Sequence, residues 1–143
     1  MTRLRRLTID DYDRMVTLWE RSSLPFKPKG RDSRKEITHQ MKRTPDLFVG
    51  AFEGSELVGV GIGSCDGRKG WINRLAVDPI HRRRGIARHL IGRIEAALRQ
   101  RGARVICALV ETSNPESIAL FGKLGYVVHG DLVYLSKRES EDV

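Results

Sequence analysis

The residues Leu75-Ala76-Val77-Asp78-Pro79-Ile80-His81-Arg82-Arg83-Arg84-Gly85-Ile86-Ala87 hold the densest chemistry in the chain. An apolar strand stops at Asp78-Pro79, a basic turn follows, and a helical pattern begins directly after Gly85. The first N–H groups of a helix have no intrahelical partner and carry partial positive charge, so they suit an anion. Gly85 lets the backbone approach that anion closely, and Ala87 is too small to obstruct it. These residue types describe a cradle for a pyrophosphate. A second pattern lies at Asn114-Pro115-Glu116-Ser117-Ile118-Ala119-Leu120-Phe121-Gly122-Lys123-Leu124-Gly125-Tyr126. It reads as a helix capped by Ser113 or Asn114, with Pro115 near its first position and Gly125 as the stop.

Charge is gathered around the first pattern. The chain has 143 residues and a net charge of +8. Arg68 to Arg104 holds eleven Lys/Arg against Asp78 and Glu95, and the rest of the chain is nearly balanced. Such a field attracts a multiply charged anion, although a solvated basic helix face has the same composition. Nucleic acid fits the charge, but no nucleic-acid motif and no stacking aromatics accompany it. No apolar run approaches the ~20 residues of a membrane span, and no apolar stretch follows Arg3, Arg5 and Arg6 to make a signal peptide. Cys65 and Cys107 form neither a disulfide framework nor a metal site, which points to a reducing, cytoplasmic setting.

The elements that must position these residues follow from periodicity. Residues 4–8 read as a first strand, and 10–21 as a helix capped by Thr8 or Asp10, with Tyr12, Met15, Val16 and Trp19 on one face. A Pro/Gly/Lys loop spans 22–32. Residues 33–43 make a second helix, with Ser33 and Glu36 as a capping box. Strands follow at 47–52, 56–64 and 69–77. The clearest helix is 86–101, with Ile86, Leu90, Ile91, Ile94, Ala97 and Leu98 as an apolar stripe. The continuous apolar run 105–110 fits a central strand, helix 115–124 follows, and 126–129 and 132–135 read as two last strands. The expected fold is mixed α/β (α+β): one domain over 1–143, frayed at 137–143. Its sheet is twisted, mixed and mostly antiparallel, of about six to seven strands, with helices on both faces. Strands 69–77 and 105–110 are parallel or splayed across a right-handed crossover. Ligands bind at the carboxyl ends of such strands, which places the Arg82–Ala87 turn at the ligand.

On these motifs the chain resembles the GNAT superfamily of acetyl-CoA-dependent N-acetyltransferases. Arg82 to Ala87 fits the family's (Arg/Gln)-x-x-Gly-x-(Gly/Ala) turn, and Arg74 to Pro79 fits the strand before it. Asn114 to Tyr126 fits the second family block, and the element order matches over nearly the whole chain. The resemblance implies a splayed parallel strand pair at the acyl-CoA site, acetyl-CoA as acetyl donor, and no metal. It implies that the backbone of Arg83 to Arg88, with Arg82, Arg83, Arg84, Gly85, Ile86, Ala87 and Arg88 as the turn, holds the pyrophosphate. It places the pantetheine arm along Leu75, Ala76 and Val77, with a Val77 N–H polarising the acetyl carbonyl. Asn114 and Ser117 would contact the coenzyme, and Phe121 would pack near the thioester. A backbone donor already fixed on a developing oxyanion is typically worth ~3 kcal/mol, and holding the amine against the thioester supplies much of the rest.

The chain departs from the family pattern at each usual proton-transfer position. Trp71-Ile72-Asn73-Arg74 holds no acid where many members have a Glu, Leu109 cannot act as a base, and Phe121 replaces the usual tyrosine. A water chain, or Asn73, Tyr134, His129 or Glu111, is left to deprotonate the amine. His81 and His89 flank the turn and read as solvated, and Cys107 as inert core. Gly59-Val60-Gly61-Ile62-Gly63 lies within a strand with no helix after it, so it is not a dinucleotide fingerprint. Its glycines serve twist, a bulge or close approach. Trp71 reads as core packing or an acceptor wall.

The acceptor side falls to Leu24–Asp32, the region of Asn73 and the last two strands. Lys27, Lys29 and Arg31 there repel a strongly cationic acceptor unless Asp32, Asp66 or Asp131 offsets them. The leading reading is an N-acetyltransferase acting by direct attack of a primary amine, either a protein amino terminus or a small molecule. The alternative is a non-catalytic acyl-CoA sensor, and a basic nucleic-acid-binding domain is a third. Partners are acetyl-CoA and the amine. Relatives of this kind are often homodimers, and the chain shows no interface signature.

Overall fold

The computed structural model describes residues 2–143. Its sheet has five strands in chain order: β1 (Thr2–Arg6), β2 (Phe48–Glu53), β3 (Glu56–Cys65), β4 (Lys69–Val77) and β5 (Val105–Ala108). The first three pairings are antiparallel and β4–β5 is parallel. Helices α1 (Tyr12–Arg21) and α2 (Arg34–Arg43) lie between β1 and β2, α3 (Ile86–Gln100) joins β4 to β5, and α4 (Pro115–Lys123) follows β5. The mixed sheet and the crossover are as the sequence predicts.

Two apolar clusters sandwich the sheet. One holds Met15, Leu18 and Trp19 of α1 and Ile37 and Met41 of α2 against Phe48, Val60, Ile62 and Ala76. The other holds Ile86, Leu90, Ile91, Ile94 and Leu98 of α3 and Phe121 of α4 against Val49, Val58 and Ile72. Alternating strand residues therefore serve opposite cores. The predicted α3 stripe is buried except for the partly covered Ala97, as is most of the α1 stripe, with Leu18 joining it and Val16 only partly covered. Ser33 caps α2 by accepting from Glu36 N–H. The start of α1 differs from expectation. A 3-10 turn at Ile9–Asp11 precedes it, and the buried Asp11 carboxylate accepts the Thr8 N–H at 2.9 Å.

The glycines of β3 have a packing role. A Cβ at Gly59, Gly61 or Gly63 would lie 2.9, 2.6 or 2.8 Å from Ile86 Cγ2, Ile94 Cδ1 or Ile94 Cγ2, respectively. Leu98 covers Gly70 of β4 in the same way. Helix α3 thus lies on a bare strip of sheet, closer than any side chain there would allow.

One irregularity shapes β4. Ile62 faces Arg74 but Gly63 faces Ile72, so Asn73 is an extra residue on β4. Such a bulge bends the strand and reverses which face later side chains take. Ile72 belongs to the α3 core, whereas Ala76 belongs to the α1/α2 core. β5 pairs with β4 only from Lys69 to Ile72, so the strands part at the bulge.

The two last strands do not form. Residues 126–135 lie outside the sheet, and Val127, Val128, Leu132, Val133 and Leu135 are exposed. The sheet therefore has five strands rather than six or seven. β5 is its edge, with Val105 exposed, and not the central strand that its apolar run predicts. The physical reason is that strand preference depends on the surface offered. Two short runs around Gly130-Asp131 are marginal as a hairpin until an edge pairs them, and their backbone makes no bond to β5.

Candidate active site

The candidate site lies at the carboxyl end of β4. Beyond the bulge, Arg74 to Val77 pair with β3 on one side only. Strand residues direct their N–H and C=O to alternate sides. Asp78 N–H donates to Val58 O of β3 at 2.8 Å, so Val77 faces the opposite, open edge. Arg82 Nε reaches the Val77 carbonyl there at 3.4 Å. The result is a short length of free strand edge in Leu75 to Val77.

Asp78 ends the strand and anchors the turn after it. It is fully buried, its carboxylate accepts from Ile80 N–H at 3.0 Å, and Arg21 of α1 reaches its two oxygens at 2.8 and 3.1 Å. A 3-10 turn at Pro79–His81 leads into the arginines. Arg82 is extended, Arg83 has φ 66° and Gly85 has φ 77°. Left-handed residues in a turn can direct successive N–H groups inward, the arrangement of an anion nest. Arg83 holds this conformation without glycine's freedom, a strained arrangement of the kind found at ligand sites. No side chain caps α3, which leaves its first N–H groups available to an anion. A Cβ at Gly85 would meet only His89 Cε1, at 3.9 Å, so the space beside the nest is open. Arg82, Arg83, Arg84 and Arg88 are exposed around it.

Helix α4 follows β5 and packs Phe121 into the α3 cluster. Asn114 caps it, Oδ1 accepting from Ser117 N–H at 3.2 Å. Phe121 is buried in the α3 cluster, against which Leu75 and Val77 are also packed. Its ring meets Tyr126 edge to face at 4.8 Å. Tyr126 Oη donates to Glu95 of α3 at 2.6 Å, and burial, followed by that bond, raises its pKa above the ordinary phenol range.

The remaining predicted residues separate into near and far. Asn73 sits at the bulge and donates from Nδ2 to Ser64 Oγ at 2.8 Å. Tyr134 and His129 lie on the exposed segment outside the sheet, and no bond ties either to β4. Glu111 is exposed and accepts from Ser113 Oγ. Leu109 is exposed beyond β5, and Trp71 lies half-buried beneath Lys69 Nζ. Three pairings had no sequence signal: Arg21–Asp78, Tyr126–Glu95 and Arg74–Asp32. In the last, Arg74 Nη2 meets Asp32 Oδ2 at 2.6 Å, fixing the 22–32 loop to β4 beside the bulge. The partners are 31 to 57 residues apart.

The model of the Acetyltransferase (GNAT) family matches residues 12–126, a span that contains both motifs and the parted strands. The chain belongs to the GNAT acetyltransferase family. Acetyltransferase SG1711 of Sodalis glossinidius is 38% identical over 133 residues, covering 93% of this chain and 92% of that protein. The GNAT fold is shared with the PaiA N-acetyltransferase of Thermoplasma acidophilum, crystallised with coenzyme A. That structure matches with a TM-score of 0.75 and 19% identity over 90% of this chain and 91% of that one. It is shared also with AAC(6')-Iy bound to a CoA-S-monomethyl-acetylneamine bisubstrate analogue. There the TM-score is 0.78 and the identity 18%, over 96% and 99% of the two chains. No helix among the described residues of this GNAT chain is long and apolar enough to cross a membrane.

Proposed function

We propose that this acetyltransferase moves acetyl from acetyl-CoA to a primary amine by direct attack in a ternary complex. The observation that carries the reading is the continuity of the open edge at Leu75–Val77 with the left-handed turn at Arg83–Gly85 and the uncapped start of α3. The residues fit the coenzyme. The nest from Arg83 to Arg88 suits a pyrophosphate, and Arg82, Arg84 and Arg88 supply its countercharge. The free edge suits an extended arm added as a strand. Bound acetyl-CoA supplies an activated acyl group. Val77 N–H, turned to the open edge, is the donor we assign to the developing oxyanion. Asn114 and Ser117 at the α4 cap, and Phe121 behind it, border the arm.

Proton removal falls to water. Asn73 and Ser64 bond to each other at the bulge, and neither an amide nor a hydroxyl accepts a proton near neutral pH. We assign them the ordering of that water, with positioning of the amine supplying much of the rate. Tyr134 serves this step only when its segment folds back onto the sheet.

Thermal unfolding with acetyl-CoA, free CoA and AMP tests the reading first. Saturation at about 100 times the dissociation constant adds ~2.7 kcal/mol to stability. A shift with both CoA forms and little with AMP is expected, and Gly85→Glu, which puts a carboxylate beside the nest, should abolish it. An unchanged shift in that variant would refute the cradle. Coenzyme binding with no acetylation across amines and peptides would favour the non-catalytic sensor.

A further inference from the structure

The acceptor side of the site is bounded by the loop between α1 and α2, whose charge is one-sided. Residues 24–31 contain Lys27, Lys29 and Arg31 and no acid. Lys29 and Arg31 are exposed. The adjoining acid, Asp32, is buried and fully engaged. Its carboxylate accepts from Arg74 Nη2 and from Lys27 N–H, both at 2.6 Å, and from Arg74 Nε at 3.4 Å. Asp32 therefore balances Arg74 and does not neutralise Lys29 or Arg31. The same pair holds the loop against β4 where the strand leaves β5, next to the open edge.

A second observation is that this loop lies against an acidic segment of the chain itself. The segment 141–143, with Glu141 and Asp142, lies on the loop. Lys27 Nζ donates to the Glu141 carbonyl at 2.7 Å, and a Cβ on Gly30 would overlap the Asp142 carbonyl. An acidic stretch of polypeptide is thus seated in backbone contact with the basic loop.

We infer that the amine acceptor carries carboxylate groups close to its reacting amine, and that Lys29 and Arg31 select for it. The inference rests on the transferase reading above and narrows it. Exposed cations at the rim of a site concentrate anionic ligands and repel cationic ones. Polycationic amines are disfavoured on this reading. The carboxylates can belong to a peptide with acidic residues after its amino terminus or to a free amino-dicarboxylate, and matched acceptors separate these sources.

The experiment measures thiol release by the full chain at saturating acetyl-CoA. Peptides beginning Ala-Glu-Asp, Ala-Ser-Gly and Ala-Lys-Lys form one arm; free glutamate, glycinamide and spermidine form the other. In at least one arm the acidic member should exceed the cationic one by about tenfold or more in kcat/KM, with the advantage shrinking as salt rises. Lys29→Glu combined with Arg31→Glu should collapse that advantage while leaving acetyl-CoA affinity unchanged. Equal or faster turnover of neutral or cationic members by the wild type would overturn the inference and leave the transferase reading standing. An acidic preference untouched by the double variant would also overturn it. Acetyl-CoA binding with no turnover of any member would remove the transferase reading and this inference together.

Discussion

Asp32 joins two parts of the chain that local sequence cannot connect. Its carboxylate meets Arg74, 42 residues away, and its carbonyl accepts from Tyr12 Oη at 2.7 Å. Both charged side chains are nearly withdrawn from water, at 5% and 15% exposure, so neither ion tolerates loss of the other. Asp32→Ala or Arg74→Ala should each cost about 3–5 kcal/mol, mostly from the charge left unpaired. The double variant should cost clearly less than the sum, and urea unfolding of all four proteins measures the difference. Additive costs would show that the pair does not act as a unit. Gly85 and Asn114, by contrast, were legible in the sequence, because turn and cap chemistry is read from neighbours one to three residues away. A buried ion pair across the fold has no such signature, and Asp32 alone reads as a loop acid free to meet an acceptor.

At the level of elements, α3 lies on β3 at glycines 59, 61 and 63 with no room for a side chain. The proposed site depends on this contact, because α3 begins at the turn we assign to the coenzyme. Gly61→Ala places a methyl against Ile94 Cδ1 and should cost about 1–3 kcal/mol by overpacking. Ile94→Val removes that carbon, so the same glycine change should cost distinctly less in the valine background. Chemical denaturation of the two singles and the double tests this, and equal costs in both backgrounds would mean that the clash is relieved elsewhere. Apolar runs separated by turns at Glu53-Gly54-Ser55 and Asp66-Gly67 made β2, β3 and β4 readable, and the 3.6-residue period did the same for α3. The Asn73 bulge was not readable, since one inserted residue changes the face of a strand without changing its composition. The segments 126–129 and 132–135 have a strand pattern but no pairing partner, so pattern alone overstated the sheet.

Across the whole molecule, basic excess and a few engaged carboxylates set the response to acid. Asp11 accepts both guanidinium nitrogens of Arg5, with Arg14 and Thr8 N–H also on it. The Arg5 bond holds its carboxyl below the usual range. Arg101 does the same for Asp46, and the Lys69 and Arg68 N–H groups do so for Asp66. Each pKa is depressed in the folded chain relative to about 4 in the unfolded one. The unfolded state therefore binds more protons as pH falls below that value, and stability present at neutral pH is lost on the way down. Protonation also raises a net charge that already stands at +8, adding self-repulsion in the compact state. Unfolding free energy from urea titrations should stay nearly level from pH 7 to about 5 and fall steeply below about 4. Asp11→Asn should be less stable at pH 7 and show a shallower fall, because one depressed carboxyl no longer titrates. An acid limb of unchanged steepness in that variant would assign the loss to global charge repulsion rather than to these pairs. Added salt would then flatten the limb equally in both proteins, since screening weakens repulsion between exposed charges more than it weakens a buried pair.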